Sequence, residues 1–360
     1  MILIAKIVSI DCNLKCDYCF YHRWNQNSNR LMSCDTLETL IKEGCDYSPI
    51  CAQFIWHGGE PLLAGLKFFE KIIEFQNKYR KNGQNIVNKI QTNGTLINEE
   101  WAKFFHSNQF GVGISLDGPK NLHNTFRKYP DSDGSFDATW QGIQILRQNG
   151  IIPGIIAVIN SANVIFPQEM FEFFIDSELK NLVFNPAMIK DDISGLPTGI
   201  VAKPTDYGNF INRIFDLWLK KDDPKIEIRQ IKSVVHALIG GKYRSCRFKS
   251  ECQKYPTIEC NGDIFSCDGD EQNKNIRFGN IRQGLNHIFS SEIYKEYRRK
   301  IQRLRISCLD CQWYKICRGG CTRDYCSRSQ ELPKNYFCEG MKEVYQHISD
   351  SLKYYKILPL

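Results

Sequence analysis

Residues 53–75 read QFIWHGGEPLLAGLKFFEKIIEF, which is one complete strand–turn–helix unit. The apolar run Gln53–His57 has the length of a strand, and the apolar residues of 66–75 recur at spacings of three and four, as in an amphipathic helix. Similar strand-like runs lie at Leu3–Ser9, Ile86–Gln91, Gly111–Ser115, Ile152–Ile159 and Leu182–Phe184. Strands that alternate with helices predict a parallel sheet with crossover helices.

The number of these units predicts the architecture. Six β/α units are fewer than the eight of a closed barrel, so we expect an α/β fold built on a partial (β/α)6 TIM-type barrel. A flat, doubly wound sheet is the alternative. The predicted domains are the barrel at 1–190, a helical linker at 191–245, a small cysteine-rich α+β domain at 246–340 and a C-terminal helix at 341–360.

Composition narrows the class of protein. The chain has 360 residues, of which 42% are hydrophobic, and this excludes disordered and collagen-like proteins. A net charge of +7 does not indicate a nucleic-acid partner. No apolar stretch has the length needed to cross a bilayer, and the first residues lack the features of a signal peptide. We therefore expect a cytoplasmic protein without a membrane partner.

Cysteine is unusually abundant and clustered. The chain has 16 cysteines, ten of which lie between Cys246 and Cys338. In a reducing cytosol such clusters indicate metal sites or catalysis before disulfides. A disulfide-stapled domain of an exported protein is the alternative.

Chemically distinctive residues follow four of the predicted strands. They are Cys12–Tyr21, His57–Pro61, Gln91–Thr95 and Ser115–Pro119. In β/α folds the active site is built from loops at the carboxyl ends of the strands, so these four segments predict the site.

The first of these loops carries Cys12, Cys16 and Cys19 in the pattern C-x3-C-x2-C. Three thiolates can hold three corners of a cubane iron–sulfur cluster and leave one iron open to a ligand. A zinc ion with a fourth ligand from elsewhere is the alternative.

This spacing, with an aromatic residue before the third cysteine, resembles the signature of the radical S-adenosylmethionine (SAM) enzymes. The resemblance implies that the open iron chelates SAM and that one electron from the cluster releases a 5′-deoxyadenosyl radical, which removes hydrogen from a substrate. It also implies SAM contacts from Tyr18, Gly58, Gly59, Glu60, Ser115 and Arg127, with a surface or packing role as the alternative for Tyr18, Ser115 and Arg127. Asn93 is a further candidate for SAM binding, because its amide lies on the same predicted rim. Glu60 has a second predicted role in organising its loop, and Asn93 has one in forming an Asx turn.

The C-terminal cysteines resemble the SPASM domain, which carries two auxiliary clusters. The characteristic part is C-x2-C-x5-C-x3-C from Cys308 to Cys321. The resemblance implies a total of three [4Fe–4S] clusters. One auxiliary ligand set would be Cys246, Cys252, Cys267 and Cys321, and the other would be Cys308, Cys311, Cys317 and Cys338. Spacing alone does not settle this pairing, and two zinc ribbons are the alternative.

Two further features have two interpretations each, and three other cysteines have one. Asp268 follows Cys267 directly and is either a general base for substrate oxidation, as in sulfatase-maturating relatives, or a turn carboxylate. Segment 295–305 is either an amphipathic helix, with Ile293, Tyr297, Ile301 and Leu304 on one face and a solvated basic side, or a dock for an acidic peptide or reductase. Cys34, Cys45 and Cys51 are expected to be small buried hydrophobic residues.

These observations predict an enzyme that modifies peptides. We favour a maturase of a ribosomally made precursor peptide, because His57 stands where sulfatase maturases often carry glutamine, and because Gly269-Asp270-Glu271 replaces an aromatic run. The alternatives are an anaerobic sulfatase maturase, which converts cysteine or serine to formylglycine, and a non-enzymatic zinc-ribbon protein. Expected partners are the peptide or sulfatase, an electron donor such as flavodoxin or ferredoxin, and a separate leader-binding protein.

Overall fold

The structure is a computed structural model that describes residues 1–23, 31–191, 193–241, 245–248, 252–267, 276–326 and 333–358. Its strands are β1 Ile2–Lys6, β2 Cys51–His57, β3 Asn85–Thr92, β4 Gly111–Ser115, β5 Gly154–Ile159, β6 Asn181–Pro186, β7 Glu227–Ile228, β8 Thr257–Ile258, β9 Asp263–Phe265, β10 Gly279–Asn280, β11 Tyr325–Cys326 and β12 Lys334–Asn335.

Helices follow most of the strands. The α-helices are α1 Cys34–Tyr47, α2 Leu66–Tyr79, α3 Glu99–Ser107, α4 Lys120–Phe126, α5 Phe136–Gln148, α6 Pro167–Asp176, α7 Pro204–Lys221, α8 Arg229–Leu238, α9 Leu285–Ser290, α10 Glu292–Arg303, α11 Tyr314–Cys317 and α12 Cys338–Tyr354. Within the part of the chain that the structure describes, no helix combines the length and the apolar character needed to cross a membrane.

The chain forms two compact units. The first contains residues 1–115, 127–153 and 252–300, and the second contains 116–126, 154–251 and 301–360. This division does not follow the predicted domains in chain order, because segment 252–300 belongs to the same unit as the N-terminal strands.

The first unit is organised around parallel strands. Its strand order is β10-β9-β8-β1-β2-β3-β4, in which β1 to β4 are parallel and β8 is parallel to β1. β2 buries every second residue, and Phe54 and Trp56 stack with ring centroids 5.6 Å apart. Burial of this face removes large apolar surfaces from water, which stabilises the sheet.

The second unit has its own parallel strands in the order β5-β6-β7 and a short antiparallel pair, β11 and β12. Phe174, Phe184, Phe210 and Phe215 are fully buried in its core. The predicted helical linker contains α7 and α8, but it also contributes β7, which pairs with β6.

All six predicted strands are present, with small changes at the ends of most of them. β4 has the predicted bounds, whereas β1 ends at Lys6 and not at Ser9. Ser9 has a φ of +53°, which is incompatible with an extended strand, so the chain turns there toward the cysteine loop.

Two side-chain predictions are wrong. Cys34 is exposed, because it is the first residue of α1 and the buried face of that helix begins at Thr36 and Leu37. The predicted basic helix exists as α10, but Tyr294 is buried in place of Ile293, which is 53% exposed. Cys45 is fully buried, as expected, and Cys51 is half-buried.

Candidate functional site

In the first unit, the carboxyl ends of neighbouring parallel strands lie side by side. Lys6 at the end of β1 pairs with His57 at the end of β2, and Thr92 at the end of β3 pairs with Ile114 of β4. The loops that follow these parallel strands therefore begin at one edge of the sheet, which is where a β/α fold builds its active site.

The cysteine loop follows β1. Within it the Cys19 amide donates to the Cys16 carbonyl at 2.9 Å, and the Leu14 amide donates to Cys12 Sγ at 3.4 Å. The Lys15 amide donates to the Lys128 carbonyl at 2.7 Å, which ties the middle of the loop to the segment after Arg127. The backbone therefore fixes the positions of the three thiols.

The donor set of this loop fits an iron–sulfur cluster. The pKa of Cys12 is raised to about 12, mainly by burial and also by the negative charges of Glu60, Cys16 and Cys19, while the hydrogen bond from the Leu14 amide lowers it. A buried thiol among anionic neighbours becomes a thiolate when it binds a metal cation. Cys12, Cys16 and Cys19 are therefore suited to hold a cationic cluster.

The glycine turn after β2 packs directly against the cysteine loop. The Gly59 amide donates to Ser9 O at 2.9 Å, and the Glu60 amide donates to Asp11 O at 2.7 Å. A Cβ atom on Gly59 would lie 1.9 Å from Asp11 O, and Gly58 has a φ of +127°. Glycine is required at both positions because two backbone segments touch here.

Glu60 organises this turn. It has no exposed surface, and its Oε1 accepts hydrogen bonds from the Leu62 amide at 3.0 Å and from Thr92 Oγ1 at 2.7 Å. Its Oε2 accepts from the Asn93 amide at 2.7 Å. Burial raises the pKa of Glu60, and these hydrogen bonds oppose that rise. The carboxylate thus joins the ends of β2 and β3, in agreement with its predicted loop-organising role.

Asn93 connects β3 to the cysteine loop. Its Nδ2 donates to Asn13 Oδ1 at 2.8 Å and lies 3.8 Å from Cys12 Sγ. Its Oδ1 accepts from the Thr95 amide at 2.9 Å, which is the predicted Asx turn. Asn13 and Thr95 were not predicted as site residues, although Asn13 directly follows a candidate ligand and its Nδ2 donates to Thr95 Oγ1 at 2.8 Å.

Three other candidate SAM contacts, Tyr18, Arg127 and Ser115, take part in two separate hydrogen bonds in the first unit. Arg127 Nη1 donates to the Tyr18 hydroxyl at 2.7 Å, and both side chains are buried. Gln91 Nε2 donates to Ser115 Oγ at 3.0 Å, across the adjacent strands β3 and β4. The Arg127 charge also lowers the pKa of Glu60, so the guanidinium is part of the electrostatic environment of the glycine turn.

Sequence reasoning missed a buried polar chain beside the cysteine loop. Lys6 is 1% exposed, and its Nζ lies 2.8 Å from Glu259 Oε1 and 4.5 Å from the centre of the Tyr21 ring. The Tyr21 hydroxyl lies 3.4 Å from His57 Nδ1. A lysine at the end of an apolar strand was the available signal, but its partner is 253 residues away in sequence.

The second unit contains a cysteine cavity, by which we mean a cavity of about 710 Å³ lined by six cysteines. These cysteines are Cys308, Cys311, Cys317, Cys321, Cys326 and Cys338. The pKa of Cys338 is raised to about 11, mainly by burial and then by the charges of neighbouring groups that include Cys317 and Cys308. The size and the sulfur-rich lining of the cavity fit an iron–sulfur cluster.

Cys246 and Cys321 also lie together in the second unit. Desolvation, followed by the charge of Cys321, raises the pKa of the Cys246 thiol. The neighbouring residues Arg247 and Asp324 form an ion pair in which Asp324 is 1% exposed, and Arg323 Nε lies 3.6 Å from the same carboxylate. This pair connects the segments that carry the two cysteines.

The remaining candidate residues lie elsewhere. Cys252 begins a short 3-10 helix in the first unit, and Cys267 follows β9 in the same unit. Asp268 and the segment Gly269-Asp270-Glu271 lie outside the described residues.

Comparisons with known proteins identify two domains. Residues 7–174 match the radical SAM superfamily, and residues 246–321 match SPASM, an iron–sulfur cluster-binding domain. The second match begins at Cys246, where the sequence places the start of the cysteine-rich domain.

Two curated relatives match nearly the whole chain. A cysteine-type anaerobic sulfatase-maturating enzyme of Clostridium perfringens (strain 13 / Type A) is 32% identical over 96% of this chain and 95% of its own length. A serine-type anaerobic sulfatase-maturating enzyme of Bacteroides thetaiotaomicron is 32% identical over 98% of this chain and 91% of its own length.

A solved structure is similar to this chain over nearly its whole length. Native anSMEcpe with bound AdoMet and the Cp18Cys peptide superposes with a TM-score of 0.88 at 30% identity and covers 98% of both chains. This match confirms the predicted partial barrel with its SPASM domain, and the zinc-ribbon alternative is wrong. The chain belongs to the anaerobic sulfatase-maturating family of radical SAM enzymes, which use SAM and several [4Fe–4S] clusters.

Proposed function

We propose that this enzyme oxidises a cysteine or serine side chain of a sulfatase to formylglycine. The observation that carries the proposal is the 32% identity to both types of sulfatase-maturating enzyme over more than nine-tenths of each chain. This evidence favours the alternative function of the sequence analysis over the precursor-peptide maturase. Two relatives of different type match at equal identity, so we assign the class of reaction and leave cysteine and serine as the two test substrates.

The first unit would hold the reactive cofactor. We propose Cys12, Cys16 and Cys19 as the ligands of the SAM-binding cluster, because the loop places them together in a buried, anionic setting. When bound, SAM and this cluster supply the 5′-deoxyadenosyl radical that abstracts hydrogen from the substrate.

This chain's own residues would orient SAM. Arg127 carries a buried positive charge suited to a carboxylate, and its hydrogen bond to Tyr18 fixes the position of that charge. Gly58, Gly59 and Glu60 keep the turn against the cysteine loop, while Asn93 and Ser115 present amide and hydroxyl groups from the ends of β3 and β4. These seven residues remain our proposed SAM-binding set.

Eight further cysteines would hold two auxiliary clusters, for a total of three. The implied pairing is supported by the cavity that Cys308, Cys311, Cys317 and Cys338 line together and by the influence of the Cys321 charge on the pKa of Cys246. We propose Cys252 and Cys267 as the other two ligands of the set that contains Cys246 and Cys321. Fully loaded protein should then contain about twelve iron atoms, whereas about four would contradict both auxiliary sites.

Oxidation of the substrate also requires a proton acceptor, and we propose Asp268 for this role. A cysteine side chain would lose one hydrogen atom to the 5′-deoxyadenosyl radical, one proton to Asp268 and one electron to a proposed auxiliary cluster, and would so become a thioaldehyde. Water would convert the thioaldehyde to the aldehyde with loss of hydrogen sulfide. A serine side chain loses the same three particles and gives the aldehyde directly. A carboxylate next to a proposed cluster ligand is a suitable base for that proton.

The deciding experiment compares two peptides. Anaerobically reconstituted enzyme with flavodoxin or ferredoxin as the proposed electron donor should convert a sulfatase-derived peptide to an aldehyde, detected by mass spectrometry and hydrazine trapping. The peptide is supplied with cysteine or with serine at the target position. If neither peptide changes and a precursor peptide does, the sulfatase assignment is wrong, and a separate leader-binding protein becomes an expected partner.

Two variants assign the steps. Cys12→Ala should abolish SAM cleavage, and retained cleavage would contradict the ligand assignment. Asp268→Ala should keep 5′-deoxyadenosine formation and lose the aldehyde product, and an unchanged yield would remove Asp268 from the mechanism.

A further inference from the structure

Helix α12 supplies two groups to the cysteine cavity. Cys338 is its first residue, and Tyr345 lies seven residues later, which places both on one face of the helix. Both side chains line the cavity, together with Cys308, Cys311 and Cys317. The helix that provides a proposed ligand therefore also presents a phenol to the same cavity.

Tyr345 is fixed in place and hydrogen-bonded to a sulfur. Its side chain is 2% exposed, its ring centroid lies 5.8 Å from that of Trp313, and its hydroxyl forms a hydrogen bond with the Cys317 side chain. A cysteine that ligates iron is a thiolate and can only accept hydrogen bonds. In the loaded enzyme this contact therefore requires the tyrosine O–H to donate to sulfur.

Two other tyrosines of the cavity, Tyr207 and Tyr325, donate their hydroxyl protons to backbone carbonyls. The Tyr207 hydroxyl donates to the Phe184 carbonyl at 2.9 Å. Tyr325 also forms a side-chain hydrogen bond with Cys308, but its hydroxyl proton is donated to the Gly319 carbonyl at 2.9 Å. The protons of both hydroxyls thus have backbone acceptors, and Tyr207 provides a matched comparison for Tyr345.

We propose that the Tyr345 hydroxyl donates a hydrogen bond to Cys317 Sγ and raises the reduction potential of the auxiliary cluster held by Cys308, Cys311, Cys317 and Cys338. The reduced cluster carries one more negative charge than the oxidised one, so a donor at a ligand sulfur stabilises the reduced form more. Tyr345 is then a positioning residue, which acts through Cys317 on the reduction potential of this cluster. The inference rests on the proposed ligand set and is independent of the identity of the substrate.

The test is an EPR-monitored redox titration of the fully loaded enzyme. Tyr345→Phe removes the hydroxyl and keeps the ring, and it should lower one of the cluster midpoint potentials. We expect about a tenfold shift in the oxidised-to-reduced ratio at fixed ambient potential, which corresponds to about 59 mV for one electron. Tyr207→Phe, which removes a hydroxyl from the same cavity without touching sulfur, should leave every midpoint unchanged.

A second substitution makes the test independent of how the phenylalanine variant folds. Placing 4-aminophenylalanine at position 345 keeps a donor that is weaker than a phenol, so the same midpoint should fall by less than in Tyr345→Phe. An unchanged midpoint in the loaded Tyr345→Phe variant overturns the proposal, as does a fall in the 4-aminophenylalanine variant that equals the fall in Tyr345→Phe, or an equal shift in Tyr207→Phe.

The ligand set is tested separately from the hydrogen bond. Cys317→Ala should remove the signal of the affected cluster and lower the iron content by about four atoms. Full retention of iron in Cys317→Ala would contradict the ligand set itself, whereas an unshifted potential with normal iron content contradicts only the role of Tyr345.

Discussion

The cysteine loop of the first unit and the cysteine cavity of the second unit position their thiols by different means. In the cysteine loop the decisive contacts join backbone to backbone, since Gly59 and Glu60 bond to Ser9 and Asp11. In the cysteine cavity the contacts come from side chains, such as the Arg247–Asp324 ion pair and the Tyr345 hydroxyl.

The difference indicates how each site responds to change. Backbone contact leaves no space for an added atom, so the cysteine loop should be sensitive to any Cβ at the glycine turn. Side-chain contacts can be deleted one at a time without a clash, so substitutions in the second unit should act through lost interactions. Four experiments test this contrast.

The largest effect is expected from Asp324→Ala in the second unit. This substitution leaves Arg247 and Arg323 without their buried counter-charge, and breaking a buried ion pair costs about 3–5 kcal/mol. The measurement is the free energy of unfolding from denaturant titration. Glu74→Ala, which breaks the exposed Lys71–Glu74 pair, is the control and should cost no more than about 1 kcal/mol. Equal losses in both variants would show that the Asp324 pair has no special role.

The next largest effect is expected from Gly59→Ala in the first unit. The new Cβ would lie 1.9 Å from Asp11 O, so the cysteine loop must move and SAM cleavage should fall by about 100-fold. The measurement is 5′-deoxyadenosine formation with a chemical reductant. Gly199→Ala adds a methyl group where no atom lies within 4 Å, and it should retain normal cleavage. Normal cleavage by Gly59→Ala would contradict the backbone-contact interpretation.

A smaller effect is expected from Asn93→Ala. The substitution removes the amide that bonds Asn13 and lies near Cys12 Sγ, and loss of such a supporting contact typically costs 10- to 100-fold, so we expect about a tenfold loss of SAM cleavage. Asn149→Ala, whose amide bonds Glu99 on the surface, is the control. A loss of the same size in the control would mean that the effect is not specific to the cysteine loop.

The smallest effect concerns the thiols of the iron-free protein. Burial raises the pKa of Cys12 to about 12, so its reactive thiolate is scarce at neutral pH. Its alkylation rate should rise about tenfold per unit between about pH 8 and 10 and stay below that of the exposed Cys34. Peptide mass spectrometry after timed iodoacetamide treatment measures both rates. Faster alkylation of Cys12 than of Cys34 would contradict its burial.

Much of the fold was predictable because the signals are local. Apolar runs of strand length and helical spacing of three and four depend on neighbouring residues, and β4 has the predicted bounds. The end of β1 was missed because the left-handed conformation of Ser9 leaves no pattern in its residue type. The burial of Tyr294 in place of Ile293 was missed because a helical pattern allows a rotation of the buried face by one residue.

The candidate site was predictable where one segment carries it. The spacing of Cys12, Cys16 and Cys19 and the Gly58-Gly59-Glu60 turn are readable in order along the chain. The sequence analysis placed the precursor-peptide maturase first, since His57 was taken as a mark of a different substrate, whereas the whole-chain comparisons favour the sulfatase-maturating alternative.

The sequence by itself determined the alternation of strands and helices, the loops that carry the motifs and the cysteine spacings, because each depends on residues that are near one another in the chain. Only the tertiary structure decided that Lys6 is paired with Glu259, that Asp324 is buried against Arg247 and that Tyr345 faces Cys317. The physical reason is that such contacts join residues that are distant in sequence, and the burial that gives them their strength exists only after the chain has folded.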